Sequence, residues 1–338
     1  MNSATDKRYI PLSIISPVYN NGQELEGLLN SLKDDFKRNS FLEMIVVDDC
    51  STNDSVAKTI ERFSFVRYIR LAQNKGAAAA RNAGARVAKN NVLVFIDSDV
   101  QVEKDAIGRI EEVMQDEKIK IMVCNKSKIP ANKGIFPAYR AIMHNSWVPK
   151  EKFATFFTGA FGVMRREVFD EIGGFDDNYK GASVEDFEFG HRLSEKYNIY
   201  FFKDILIRVN WNLFAKTMKT HYNRTILWMQ LFKKRKKFDN FCATPSQGAG
   251  YLLGFLFLSS FVVILAGIKF AFLPLTAMMV YIVFNRNFFL LTNKEKGLAF
   301  MLMSVLIHLS ESVVVTIAAI VGLFTNFFKN QGPEFSGR

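Results

Sequence analysis

Val92-Leu93-Val94-Phe95-Ile96-Asp97-Ser98-Asp99 is a short apolar run that stops on two carboxylates. The run reads as a β-strand, and the acids mark its carboxyl end. The same pattern recurs upstream. Leu12–Ser16 leads into Pro17, Tyr19 and Asn20, and Met44–Val47 leads into Asp48 and Asp49. Val66–Leu71 is a further strand. Helical patterns lie between: one carries Leu25, Leu28, Leu29 and Leu32 on a single face, and Ser55–Phe63 and the alanine-rich Ala77–Ala88 follow. Strands alternating with helices predict an α/β fold built on a parallel, doubly wound sheet. Ligands of such sheets bind beyond the carboxyl ends of the strands. Tyr19, Asn20, Asp48, Asp49, Asp97 and Asp99 all fall there, which marks the candidate site.

Asp97 and Asp99 can point hard oxygens at one cation, and Mg²⁺ or Mn²⁺ suits such ligands. An acidic pair at a strand end is also an ordinary turn, so the surroundings matter. Asn74-Lys75-Gly76, followed by Arg81-Asn82-Ala83-Gly84, offers the cationic groups and close backbone approach that a diphosphate needs. The plain alternative for Arg81 is a solvated helix face. A second acidic motif, Ser183-Val184-Glu185-Asp186-Phe187-Glu188-Phe189, follows the turn Gly173-Gly174-Phe175-Asp176 and opens a helix running to Lys196. A helix dipole favours acids at that end. A carboxylate general base aimed at an acceptor hydroxyl is the functional alternative, and spacing alone does not separate the two.

The chain has 338 residues, 49% hydrophobic and 23% charged, which excludes a disordered polyelectrolyte. Its net charge of +11 suits nucleic acid, anionic lipid or phosphate-bearing substrates. Cys50, Cys124 and Cys242 lie far apart, arguing against a disulfide scaffold or thiolate zinc site. From Gly248 onward the composition changes. Tyr251–Ile268, Phe270–Phe284 and Leu298–Phe328 are nearly uncharged, and a membrane helix needs about 20 apolar residues. About three transmembrane helices are expected, the second kinked by Pro274. The polar start Met1–Leu12 predicts no secretory leader. Lys233-Lys234-Arg235-Lys236-Lys237 abuts the first span and reads as an interfacial basic helix on anionic lipid, not as a nucleic-acid site. With Arg286, Lys294 and Lys296 it predicts a multi-pass membrane protein with its head on the cytoplasmic side. The expected organisation is a head over 1–245, a membrane part over 246–330 and a short tail over 331–338. His144 and His191 read as surface or helix-face residues. His308 and Glu311, three apart within the third span, are expected to bond each other or a neighbouring helix.

Taken together, these stretches resemble the inverting family 2 glycosyltransferases of the GT-A fold with C-terminal transmembrane helices. The resemblance rests on Ser16-Pro17-Val18-Tyr19-Asn20, Ile45–Asp54, Asn74-Lys75-Gly76 with Ala80–Gly84, Phe95–Asp99, Thr158-Gly159-Ala160, Gly173–Asp176 and Glu185–Glu188. It implies a membrane-anchored enzyme that moves one sugar from a nucleotide-sugar, with a UDP-sugar expected, to a hydroxyl of a lipid, glycolipid or lipid-linked glycan. Pro17, Tyr19, Asn20, Asp48, Asp49, Lys75, Arg81, Asp97 and Ser98 would hold the donor. Asp99 would ligate a divalent metal, Asp186 would be the base, and Glu185 would help hold the acceptor. There are two departures. Asn210 stands where family members often carry a further metal-binding histidine. His221–Thr225 lacks the Gln-x-x-Arg-Trp motif of processive synthases, which argues for single transfer. Transfer to a polyprenyl phosphate is the alternative reaction, and a catalytically silent membrane glycan-binding or scaffold protein is the alternative class.

Overall fold

The structure, a computed structural model, describes residues 9–148, 151–179, 184–241 and 243–325. The expectations for Ser183, Cys242 and the tail 331–338 lie outside the described residues. The chain forms two compact units. One holds the described residues of Met1–Ser127 and Lys150–Asn210, the other those of Lys128–Pro149 and Trp211–Arg338.

The first unit opens with β1 (Leu12–Val18), α1 (Gly22–Arg38), β2 (Glu43–Asp48), α2 (Ser55–Ile60), β3 (Val66–Arg70), α3 (Ala77–Val87) and β4 (Val92–Ile96). It continues through β5 (Val100–Val102), α4 (Ala106–Val113) and β6 (Ile121–Lys126). After α5 (Ile135–Ser146), which belongs to the second unit, come β7 (Phe153–Ala154), β8 (Phe161–Arg165), α6 (Arg166–Ile172), α7 (Glu185–Lys196) and β9 (Ile199–Val209). The strands form one sheet in the order β3-β2-β1-β4-β8-β6-β9-β5, with β7 paired to β9. The expected parallel arrangement holds from β3 to β4, with Val18 opposite Asp48 and Ile15 opposite Phe95. Beyond β4 it fails: β8 runs antiparallel to both β4 and β6, so the sheet is mixed. A buried strand has the same apolar pattern whichever way its neighbour runs, so direction was not encoded locally.

Local chemistry explains the parallel half. Leu25, Leu28, Leu29 and Leu32 turn one face of α1 fully into the core. Gly84 lets α3 lie on β1, because a Cβ there would strike the Ile15 side chain. Pro17 is tolerated in β1 because pairing with β4 ends at Ile15, leaving only β2 alongside. The carboxyl ends of β1, β2 and β4 therefore share one edge of the sheet.

The second unit is helical. Besides α5 it contains α8 (Phe214–Arg235), α9 (Pro245–Ser260), α10 (Phe272–Phe284), α11 (Arg286–Lys296) and α12 (Leu298–Phe324). Thr244 and Gln247 form a capping box that starts α9, with Pro245 in its first turn. Tyr139, Ile142, Met143, Tyr251, Phe257, Tyr281, Phe288 and Phe289 make its core. Among the described residues two helical stretches, Pro245–Ala266 and Leu298–Phe324, are long and apolar enough to cross a membrane. A third qualifies only if Ile268–Phe284 and Arg286–Lys296, bent by 67°, count as one span. The bend falls after Phe284 and not at Pro274. Pro274 sits in the first turn of α10, where a missing N–H leaves no helical bond unmade. Leu265 and Ile268 are 89% and 79% exposed, as lipid-facing side chains would be. The basic run closes α8, where Lys233, Lys234 and Arg235 sit favourably at the negative end of the dipole. Glu311 accepts from Tyr139 Oη at 2.8 Å and Arg140 Nη1 at 3.1 Å, and His308 Nδ1 meets Tyr281 Oη at 2.8 Å. The bonds of this pair are thus interhelical, not mutual. His144 and His191, expected on the surface or on a helix face, lie on helices but are buried.

Candidate active site

The strand ends are tied into one network. Asp49, buried at the end of β2, accepts from the backbone N–H groups of Lys75 at 2.7 Å and Gly76 at 2.8 Å. This carboxylate sits at the N-terminus of α3, where the helix dipole favours it. It thereby fixes the entry of the helix that carries Arg81. Asp48 accepts from Ser51 N and from Tyr68 Oη, at 2.8 and 2.7 Å. Burial and the Asp48 charge push the Tyr68 hydroxyl up to about 12. Tyr19 stands exposed beyond β1, while Asn20, at φ 55°, binds Ser51 and Thr52 through its backbone and its side-chain amide. Cys50 is also left-handed, at φ 62°, and its Sγ donates to Ala72 O at 3.7 Å. Left-handed backbone at a non-glycine residue costs about 1–3 kcal/mol and concentrates at functional sites.

Arg81 is the hub. It is 4% exposed, which overturns the solvated-face alternative. Its Nη2 donates to Asp97 Oδ1 at 2.7 Å and its Nη1 to Glu185 Oε1 at 3.2 Å. Burial alone would lower its pKa, but the charges of Asp97, Glu185 and Asp186 outweigh burial and hold the guanidinium more firmly protonated than usual. One side chain therefore joins the end of β4 to the start of α7. Its Nε has no hydrogen-bond partner among the described residues. Gly159 makes room for it, since a Cβ there would land on the guanidinium. Gly159→Ala should displace Arg81 at a cost of about 1–3 kcal/mol, the usual price of overpacking. A lowered unfolding midpoint with weakened nucleotide binding would show it; wild-type values for both would separate Gly159 from the site.

The three acids of α7 divide. Glu185 is buried against Arg81, and Glu188 holds Arg192 through two oxygens at 2.6 and 2.9 Å. Arg192 in turn donates to the carbonyls of Ile172 and Gly174, locking the glycine turn. Asp186 is half-buried, and its Oδ1 accepts from Phe187 N at 2.9 Å. The N-cap is Val184, which makes no side-chain capping bond, so Asp186 is not the cap. Tyr68 and Glu188 carried no distinguishing sequence signal for these roles. Asn82 did, beside Arg81: it pins the backbone of Phe175 through both amide atoms.

Ser98 is buried, and Asp99 is half-buried at the start of β5. The Asp99 carbonyl accepts from Asn210 N at 2.8 Å, placing Asn210 beside it. Asn210 Nδ2 donates to Glu24 at 3.3 Å, while its Oδ1 accepts no hydrogen bond among the described residues. Among those residues no cluster of three or more His, Cys, Asp or Glu side chains could hold a metal. Asp99 and Asn210 would offer a carboxylate and a neutral amide oxygen, both hard donors. They fit a divalent cation that takes its other ligands from phosphate and water.

Residues 13–173 match glycosyl transferase family 2. They are a family 2 glycosyltransferase domain. The match includes Arg81, Asp97 and Asp99 and ends before Glu185 and Asp186. The glycosyltransferase domain is similar to an uncharacterized glycosyltransferase of Haemophilus influenzae, 30% identical over 189 residues, covering 55% of this chain and 62% of that protein. It is also similar to the poly(ribitol-phosphate) beta-N-acetylglucosaminyltransferase TarS of Staphylococcus aureus, 34% identical over 100 residues, 28% of this chain and 17% of that one. The chain thus spans less than two thirds of either relative. Among solved structures the mannosyltransferase PcManGT of Pyrobaculum calidifontis, in complex with GDP-Man and Mn²⁺, shares the fold. It is 16% identical, with a TM-score of 0.57 over 94% of this chain and 89% of that one.

Proposed function

We propose that the protein is a membrane-anchored inverting glycosyltransferase that moves one sugar from a nucleotide-sugar to a hydroxyl of a lipid, glycolipid or lipid-linked glycan. The observation that carries this reading is the division of labour on α7. Arg81 and Arg192 engage Glu185 and Glu188, and Asp186 is the acid held beside them, half-exposed. In this reading Tyr19, Asn20, Asp48 and Asp49 shape the nucleotide pocket. Pro17, Lys75, Arg81, Asp97 and Ser98 line the donor side, and Glu185 orients Arg81 and the acceptor. Asp186 takes the proton of the acceptor hydroxyl as its oxygen forms a bond to the anomeric carbon. The bond from that carbon to the diphosphate breaks in the same step, and the pair of electrons leaves with the nucleoside diphosphate. In-line attack inverts the centre. Mn²⁺ or Mg²⁺, held by Asp99 with Asn210, would supply positive charge for the departing diphosphate. The apolar helices of the second unit would anchor the chain, with the basic end of α8 against the cytoplasmic leaflet.

The full-length protein, screened against nucleotide-sugars with Mn²⁺ and glycolipid acceptors, should release nucleotide with at least one donor. Asp99→Ala or EDTA should nearly abolish that release. Release from no donor would refute the enzyme reading; undiminished activity of Asp99→Ala in EDTA would refute the metal role. Asn210→His, which adds a stronger ligand, should lower the Mn²⁺ concentration needed for half-maximal rate; an unchanged requirement would remove Asn210 from the metal's surroundings.

A further inference from the structure

Glu24 lies in the first turn of α1, and its Oε1 accepts from Asn210 Nδ2 at 3.3 Å. We infer that Glu24 is a positioning residue for the divalent cation: it turns the carbonyl oxygen of the Asn210 amide, and not its NH₂ group, toward the site it shares with Asp99. The inference rests on the metal role proposed above for Asp99 and Asn210, and it adds a residue of α1 that acts through Asn210.

Strand register puts the two ligands side by side. β5 and β9 run antiparallel, with Val100 opposite Val209 and Gln101 opposite Arg208. One step on, Asp99 stands opposite Asn210, and Asn210 N donates to Asp99 O at 2.8 Å. Opposed residues of an antiparallel pair carry their side chains on one face, with Cβ atoms about 4.5–5.5 Å apart. Gln101 belongs to that face too, being two residues along from Asp99. There α1 comes close: a Cβ added at Gly27 would lie 3.1 Å from Gln101 Nε2. Glu24, three residues before Gly27, is on the same side of α1. The missing side chain at Gly27 therefore lets α1 approach β5 until Glu24 reaches Asn210. Every residue in this chain of contacts belongs to the first unit.

The chemistry of the pair makes the contact directional. An amide has one accepting end and one donating end, and a half-turn about its last bond exchanges them. Left free, the Asn210 side chain would present an NH₂ group to the cation in a share of the molecules, and that group supplies no lone pair. A carboxylate only accepts. Glu24 thus selects the orientation with Nδ2 toward α1, and Oδ1 accepts no hydrogen bond among the described residues. Glu24 forms no ion pair among those residues, so no cation competes with Asn210 for its oxygens. Groups that orient a metal ligand typically change metal affinity about 10–100-fold when removed. Two plainer roles predict otherwise. An acid that only favours a helix start leaves metal binding unchanged. An acid that only adds negative charge acts equally with and without Asn210.

The test is Mn²⁺ binding to full-length protein in detergent, with UDP and GDP tried in turn. It is read from the electron paramagnetic resonance signal of free Mn²⁺ and corrected for Mn²⁺ held by free nucleotide. Glu24→Gln keeps size but can accept or donate, so it no longer dictates the orientation of the Asn210 amide. It should raise the Mn²⁺ dissociation constant about tenfold. Asn210→Ala should raise it by a similar factor, and adding Glu24→Gln to Asn210→Ala should raise it no further. An unchanged constant in Glu24→Gln overturns the inference. So does a tenfold loss that persists in the Asn210→Ala background, because the effect is then charge alone. A thermal unfolding midpoint of Glu24→Gln far below wild type makes Glu24 a structural residue and also overturns it. Wild-type protein that binds Mn²⁺ with neither nucleotide refutes the metal role itself, and the inference falls with it.

Discussion

Asp186→Asn should lower sugar transfer by about 10²–10⁴-fold, the usual contribution of a general base, while nucleotide-sugar affinity stays near wild type. The substitution keeps size and most hydrogen bonding but removes basicity. Asn still accepts through its carbonyl oxygen, so the bond from Phe187 N survives and folding should be unaffected. A purely structural acid at a helix start predicts a different outcome. Asn and Asp serve helix starts about equally well, so the variant would remain active. Val184, not Asp186, holds the capping position, which weakens that alternative further. Transfer rate and donor affinity measured on one preparation decide the matter. Near-wild-type transfer would reopen a polyprenyl-phosphate acceptor, which is already anionic and needs no base. Joint loss of donor binding and transfer would move Asp186 to the nucleotide side.

Arg81→Met should strongly destabilise the first unit. It removes the guanidinium that meets Glu185, whose side chain is 6% exposed. Removing one partner of a buried ion pair typically costs about 3–5 kcal/mol, because the remaining charge is buried uncompensated. Asp97 suffers less, since its side chain is 33% exposed and water can replace the guanidinium. Adding Glu185→Met to Arg81→Met should therefore recover most of the lost stability, since apolar replacements of a buried pair are often neutral. Denaturant unfolding of the three variants checks this. If the double variant is no more stable than Arg81→Met, the loss comes from packing around Phe175, whose ring lies 5.4 Å from the guanidinium, and not from stranded charge.

What could be read from the sequence divides along physical lines. The strands of the parallel half were legible because each is a local apolar run ending in polar residues. Val92–Ile96 is found with the same limits, and Leu12–Ser16 extends only to Val18. The direction of β8 was not legible, because pairing is decided by where the chain returns and not by the strand's own residues. Arg81 was read as a donor-side residue, but its burial was hidden. That burial depends on Glu185, 104 residues away, and on the missing Cβ of Gly159. The acids of α7 could not be ranked by spacing, because the helix dipole favours all three alike; their distinction comes from Arg81 and Arg192. Pro274 suggested a kink because proline breaks a helix interior, yet the helix starts only two residues before it. Two of the three apolar stretches, Pro245–Ala266 and Leu298–Phe324, needed no long-range information, since composition alone marks them as candidate spans.

The chain enters the helical unit twice, first over Lys128–Pro149 and again from Trp211. This interleaving restricts how such a protein can be recombined. A single genetic crossover near residue 245 would inherit α5 from one parent and α9 to α12 from another. Glu311, 0% exposed, would then face foreign residues in place of Tyr139 and Arg140, its partners across the helix boundary. A carboxylate that finds no cation there has no water to retreat to. Exchanging the helical unit between relatives therefore takes two coordinated exchanges, one of them inside the sequence that encodes the sheet-bearing unit.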